Sequence, residues 1–230
     1  MKTPCLAFLY FLLIHINEVA AQANFIDVTQ TADVKFPARN NGVAIGDFNN
    51  DGWEDMYISR ADTSDYNLLF RNNADGTFTE IGAAAGINYK GKTLMSAWID
   101  IDNDGFEDLI VGNKLEPTLL YKNGGNGSFA DITATAGISN LQEVRSILIA
   151  DFDNNGFLDI YLANINAENK LYLNNGNSTF TDHIPECGCG DNTISMGGVA
   201  FDYDNDGDAD IYLVHDANIP FRLLKNDGTA

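Results

Sequence analysis

Four nine-residue runs place short oxygen-bearing side chains at alternate positions around a glycine. In one of them Asp100, Asp102, Asp104 and Asp108 stand first, third, fifth and ninth, with Gly105 sixth and Phe106 seventh. The frame recurs as Asp47, Asn49, Asp51 and Asp55 around Gly52 and Trp53, and as Asp151, Asp153, Asn155 and Asp159 around Gly156 and Phe157. It recurs once more as Asp202, Asp204, Asp206 and Asp210 around Gly207 and Asp208. Ca²⁺ is a hard ion that takes about 6–8 oxygens in adaptable geometry, and alternating carboxylates on a glycine bend can surround it. The expected ligands are the side chains at positions one, three, five and nine, with the backbone carbonyl of the seventh residue (Trp53, Phe106, Phe157 or Asp208). That amounts to about four ions, one per frame. Without a cation, two unit charges about 4 Å apart repel by roughly 4 kcal/mol at an effective dielectric near 20. Either a cation binds or the loop splays open.

Asp, Asn and Gly are also ordinary turn residues, and the chain carries its own control for that reading. A second set of Asn/Gly turns, at Asn72–Gly76, Asn123–Gly127, Asn174–Asn177 and Asn226–Gly228, lacks the alternating acids. The frames keep Asp at positions one and nine in all four copies, which turn formation alone does not require. An EF-hand needs a bidentate Glu at position twelve between helices. Here that position holds Ile58, Val111, Leu162 and Leu213, so the EF-hand is excluded.

The first Asp advances from 47 to 100, 151 and 202, in steps of 53, 51 and 51 residues, a period that indicates an array of similar supersecondary units. In each unit an apolar segment enters the frame, as Ser96–Ile99 does, and a β-rich one leaves it, as Leu109–Val111 does. A third segment follows (Thr118–Tyr121 in that unit), and a fourth opens at Phe78, Phe129 and Phe180. Short strands between turn signals predict an all-β fold, and four strands per unit is the composition of a β-propeller blade.

The frame between two strands resembles the FG-GAP or VCBS repeat, found in the integrin alpha-subunit propeller and in many bacterial secreted proteins. The segments Phe78–Ile87 and Phe129–Ile138 resemble the cartilage acidic protein and UnbV subgroup. The resemblance covers nearly the whole chain after residue 23 and implies one Ca²⁺ per loop in a β-propeller. Asn49 and Asn155 keep an oxygen but lose a negative charge, so those two sites are expected to be the weaker. Asn24–Thr29 reads as an isolated fourth strand, of the kind that closes a propeller ring. The chain stops at a hairpin turn, which favours four repeats of a longer, seven-bladed propeller over a closed four-bladed ring.

Lys2, the apolar run Leu6–Ile14 and the Ala21-Gln22-Ala23 cleavage pattern mark residues 1–23 as an export signal, leaving 24–230 as the repeat domain. The apolar run is too short to span a bilayer, which takes about 20 residues, so no transmembrane segment is expected. The location expected is secreted or at the cell surface. The net charge of −20 comes from 33 acids against 13 Lys and Arg; fourteen of the acids occupy ligand positions, so much of the acidity is metal-binding capacity. With no basic cluster, nucleic acid is not an expected partner.

In an antiparallel meander the calcium loops and the Asn/Gly turns share one end. The other end carries less uniform connections: Arg60–Tyr66, Asn88–Met95, Asn113–Pro117, Asn164–Asn169, His183–Met196 and His215–Pro220. Loops on a rigid scaffold are the usual place for recognition, and a protein or carbohydrate ligand is expected there. No nucleophile elbow, zincin motif or phosphate loop occurs, so the chain reads as a non-catalytic, calcium-binding adhesion or partner-binding scaffold. The alternative is a secreted carbohydrate-active enzyme or its binding module, which would need acids outside the frames, such as Asp62, Asp65, Glu116, Glu143, Glu168 or Asp216, to converge. Cys187 and Cys189 are either a local disulfide or two free thiols; His183 alone is too few ligands for zinc. Trp53, Trp98, Phe48, Phe152 and Tyr203 are read as blade packing.

Overall fold

The computed structural model describes residues 23–37 and 39–228; the expected export signal falls almost wholly outside them. Each repeat folds as an antiparallel meander. The first blade comprises β1 (Asn40–Gly46), β2 (Asp55–Arg60), β3 (Leu68–Asn72) and β4 (Phe78–Glu80). The second comprises β5 (Thr93–Ile99), β6 (Asp108–Asn113), β7 (Leu119–Asn123) and β8 (Phe129–Asp131). The third comprises β9 (Glu143–Ala150), β10 (Asp159–Ile165), β11 (Lys170–Asn174) and β12 (Phe180–Asp182). In the fourth, β13 (Ser195–Phe201), β14 (Asp210–His215) and β15 (Arg222–Leu224) form a three-stranded sheet. The fold is all-β with propeller-like blades, the innermost strands β1, β5, β9 and β13 packing side by side in that order as an arc. Two one-turn helices, α1 (Gly82–Ala85) and α2 (Ile184–Cys187), are the only helical elements among the described residues.

Strand alternation explains how the blades stack. Residues one and three before each frame face the following blade, and residues two and four before it face the preceding one. Ala97 and Ile99 thus meet Ile147 and Ile149, packing around Ile101, Ile110, Leu120, Ile160 and Leu162. Trp98 faces the other way, stacked on Phe48 at 6.1 Å and beside Phe129. The core is therefore a set of apolar layers between blades, where each fully buried Ile, Leu or Phe contributes roughly 1.5–3 kcal/mol. Phe48 and Phe152 lie in these layers as expected. Tyr203 does not: it is 42 % exposed, on the face of the fourth blade that points away from the third. Trp53 also departs from the packing expectation, at 50 % exposed. Phe106 and Phe157 lie over Gly125 and Gly176 of their own blades, where an added Cβ would come within 2.9 and 2.8 Å of the rings; the corresponding turn position of the first blade holds Ala74.

All four first strands carry a bulge six residues before the frame, at Asn41, Leu94, Arg145 and Met196. A bulge raises local twist and bends the strand, here at the end opposite the acidic loops. Residues 24–29, expected to form a strand, pair with no strand among the described residues. They nevertheless repeat the local bonding of the segment after β8. Asp27 accepts the Thr29 N–H at 2.9 Å as Asp131 accepts that of Thr133, and the Ala32 carbonyl receives Phe78 N–H as Ala136 receives Phe180. Phe25 and Ile26 stay almost fully exposed.

Candidate metal centres

The acidic frames form the loops between the first and second strands of each blade, and one bonding scheme builds all four. The first Asp turns its carboxylate back into the loop: Asp100 accepts the N–H of Asp104 at 3.2 Å and of Gly105 at 2.9 Å. Asp47, Asp151 and Asp202 do the same at their fifth and sixth residues. The fifth side chain accepts the N–H of the seventh residue, from Trp53, Phe106, Phe157 and Asp208. This fold-back needs two left-handed residues, an Asn at position four with φ of 56–59° and the glycine at position six with φ of 85–98°. Gly and Asn tolerate that region best.

The ninth aspartates, Asp55, Asp108, Asp159 and Asp210, are completely buried at the start of the second strands. Each accepts the N–H of an Asn at or just past the end of the third strand, from Asn72, Asn123, Asn174 and Asn226 at 2.6–2.7 Å. In three frames the second oxygen accepts the N–H of the second loop residue, Ile101, Phe152 or Tyr203; the corresponding oxygen of Asp55 has no partner. Burial pushes the carboxyls of Asp55, Asp108 and Asp159 up to about 6. Desolvation disfavours the charged form, and a cation would reverse that penalty.

The third-strand asparagines join one blade to the next. Asn174 donates to Leu158 O in its own loop at 3.0 Å and to Ile101 O of the second blade at 2.8 Å, while its own Oδ1 accepts Gly176 N–H at 3.0 Å. Asn123 bonds Phe48 O and Asn226 bonds Phe152 O in the same way. The position-four asparagines form a second tie, from Asn50 to Gly105 O, Asn103 to Gly156 O and Asn154 to Asp208. Asn174→Ala should leave two carbonyls without a partner and lower stability by about 2 kcal/mol, since a buried orphaned group costs roughly 1–3 kcal/mol. Denaturant unfolding measures this, with Asn177→Ala as the milder comparison, since the exposed Asn177 bonds only Thr179 within its own turn.

Three frames bring three carboxylates together, with oxygens mutually within 4.8 Å: Asp100, Asp102 and Asp108; Asp151, Asp153 and Asp159; Asp202, Asp204 and Asp206. In the first frame Asn49 instead donates its amide to Asp51 at 3.0 Å. The donor set is all oxygen, and Asp55 Oδ2 and Asp102 Oδ1 are buried without a partner. These residues fit a hard divalent cation. The sequence reading missed the asparagine ties, although Asn at position four of every frame was legible. It also missed Glu107, eighth in its frame, which lies over Gly46 so closely that a Cβ there would sit 2.1 Å from its Oε2. Burial, with Glu54, Asp47 and Asp100 nearby, pushes the Glu107 carboxyl upward.

At the other end of the blades, Tyr66, Leu115, Leu141 and Phe221 are exposed apolar side chains on the connecting loops. Three of the acids named for an enzyme site are held by local partners and not by one another. Glu116 binds Tyr89 and the Lys92 N–H, Glu143 binds Lys114 and Arg145, and Asp65 binds Arg60. Cys187 and Cys189 are joined in a disulfide, which settles that alternative. His183 precedes α2, and His215, ending β14, lies 3.3 Å from Asp191 and bonds Pro220 O. Among the described residues no helix is long and apolar enough to cross a membrane.

Human cartilage acidic protein 1 is 30% identical over 203 residues, covering 82% of this chain and 30% of the human protein. The mouse protein of that name is 29% identical over 203 residues, covering 82% of this chain and 31% of its own length. The chain thus spans under a third of these relatives. A crystal structure of the V. cholerae biofilm matrix protein Bap1 is similar at a TM-score of 0.45 and 16% identity, over 77% of this chain and 29% of that one. Residues 47–111, 100–162 and 151–213, each running from one acidic loop through the second strand of the next blade, match the FG-GAP-like repeat. With most of its length in these matches, the chain belongs to the FG-GAP-like repeat family.

Proposed function

We propose that this chain is an exported, non-catalytic scaffold whose blades are stabilised by Ca²⁺ in the four acidic loops and whose opposite end holds a partner. The observation that carries the reading is the convergence of carboxylates, in the second and third loops, around buried ninth aspartates that burial disfavours as bare anions. Asp100, Asp102, Asp104 and Asp108, with their counterparts, would hold the ion, and the seventh residue (Trp53, Phe106, Phe157 or Asp208) would offer its carbonyl. The ion's contribution is structural: it neutralises each loop and fixes the turn into the second strand. The asparagine ties pass that order to the neighbouring blade.

Export is supported by the signal-like residues 1–23 and by the relatives' name, an acidic protein of cartilage. The local pairing of Asp65, Glu116 and Glu143 supports a non-catalytic role. The exposed Tyr66, Leu115, Leu141 and Phe221 support a protein partner on the opposite end, since aromatic and apolar side chains anchor interfaces. Calorimetric titration with calcium tests the reading: about four ions are expected, with dissociation constants in the weak range of about 10⁻⁴–10⁻³ M found in extracellular modules. A folded chain that takes up no ion would overturn it.

A further inference from the structure

The acidic loops are not equivalent in what stands across from them. In the second blade Lys122 places its ammonium 2.6 Å from Asp102 and 3.0 Å from Asp104. In the fourth, Lys225 pairs with Asp204 and lies 2.8 Å from Asp206. Both lysines immediately precede the third-strand asparagine that grips the ninth Asp, so each approaches its loop from a fixed backbone position. The same place holds Arg71 in the first blade and Leu173 in the third. Arg71 is exposed and forms no ion pair among the described residues. Leu173 is apolar and packs in the layer between the third and fourth blades.

This pattern matches the acid count. The second and fourth frames have four acids at the ligand positions, and the first and third have three, Asn49 and Asn155 being the exceptions. A lysine thus reaches the loop in the two frames carrying the extra ligand-position charge, so that, counting positions one, three, five and nine alone, each loop with its resident cation carries the same net charge. In the two frames without a lysine the asparagine amides supply the donors instead, Asn49 to Asp51 at 3.0 Å and Asn155 to Asp153 at 3.1 Å.

We propose that Lys122 and Lys225 are resident counter-cations that hold the second and fourth loops closed without metal and compete with Ca²⁺ for their carboxylates, so that the first and third loops fill first. The inference rests on the calcium reading of the loops. Acid count alone orders the loops the other way, because it leaves the lysines out. A divalent ion entering the second loop finds one oxygen of Asp102 and one of Asp104 already held by the ammonium, and even when it takes the open Asp102 Oδ1 it is repelled by the lysine's charge. The lysine side chains are 28% and 45% exposed, so each has a path to solvent when displaced. The first and third loops give up only neutral amide donors.

The test is calorimetric calcium titration of the protein and of Lys122→Leu and Lys225→Leu, using the residue that the third blade already has at that place, together with thermal melts in chelator. The unsubstituted protein should show two affinity classes. Lys122→Leu should tighten one of the weaker sites by about tenfold, removing a unit charge at contact distance near the surface, and Lys225→Leu by roughly threefold because it is more exposed. Both should melt a few degrees lower in chelator, a readout that needs no metal. Calcium uptake with isotherms unchanged by either substitution would overturn the competition and leave the calcium reading standing. No uptake by any of the three folded proteins would overturn the calcium reading and the filling order with it.

Discussion

Asp108→Ala should melt about 6–12 °C below the unsubstituted chain even in chelator, and further below it in calcium. The carboxylate is fully buried and accepts two backbone N–H groups, from Asn123 at 2.6 Å and Ile101 at 3.1 Å. Ala leaves both donors buried without a partner at roughly 1–3 kcal/mol each, and at about 2–4 °C per kcal/mol for a chain of this size the two together span roughly 4–24 °C. Two terms offset part of this cost: the wild-type carboxylate is itself disfavoured by burial, its pKa raised to about 6, and water can enter the space left. The lower end of the range is therefore the expectation at pH 7. Asp104→Asn is the contrast. Asp104 is exposed and its Oδ1 accepts only Phe106 N–H, which an amide oxygen can still accept; its Oδ2 pairs with Lys122, which keeps Asp102 as a partner, so the loss should be clear in calcium and, in chelator, well below that of Asp108→Ala. Equal losses for the two variants in chelator would mean that the ninth position has no structural role apart from metal.

This division of labour within one loop was only partly legible in the sequence. The first, third and fifth residues announce themselves through alternation, and the four meanders follow from apolar segments on both sides of each frame. The ninth Asp reads as one more ligand. Its second role, anchoring the third strand, depends on Asn123 or Asn174 arriving from fifteen residues downstream, a pairing that no local pattern states. The bulges are less legible still. Asn41, Leu94, Arg145 and Met196 share no chemistry, because a bulge is set by how the strand must bend against its partner and not by the bulged side chain. Trp53 was misjudged for a related reason. Phe106 and Phe157 each lie over a glycine of another hairpin, Gly125 or Gly176, whereas the first blade has Ala74 at that place, a difference that lies outside the frame. The asparagine at position four is the opposite case: it was visible in all four copies, and only its reach across to the next blade was hidden.

Calcium removal at pH 7 should lower the melting temperature more than any of these substitutions, and acidification should then move the two forms in opposite directions. At an ion concentration 10–100 times the dissociation constant each site contributes about 1.5–2.5 kcal/mol, so four sites give a shift of roughly 12–40 °C. In the metal-free protein Asp55, Asp108 and Asp159 have carboxyls raised by burial from 3.8 to about 6. A carboxyl whose pKa is higher folded than unfolded binds its proton more tightly in the folded state. Its cost to folding is fully present above about pH 6, shrinks as pH falls through 6, and is gone below 3.8. Between pH 7 and pH 5 the chelated chain should therefore gain about 1 kcal/mol from each of the three, as an upper bound. The calcium-loaded chain should lose stability over the same interval, because protons then compete with the ion for the same oxygens. Melts at pH 5, 6 and 7 in chelator and in calcium read both slopes. Parallel slopes would show that the buried aspartates do not change partners when metal binds, and the loops would then be acidic turns whose bonding is complete without a cation.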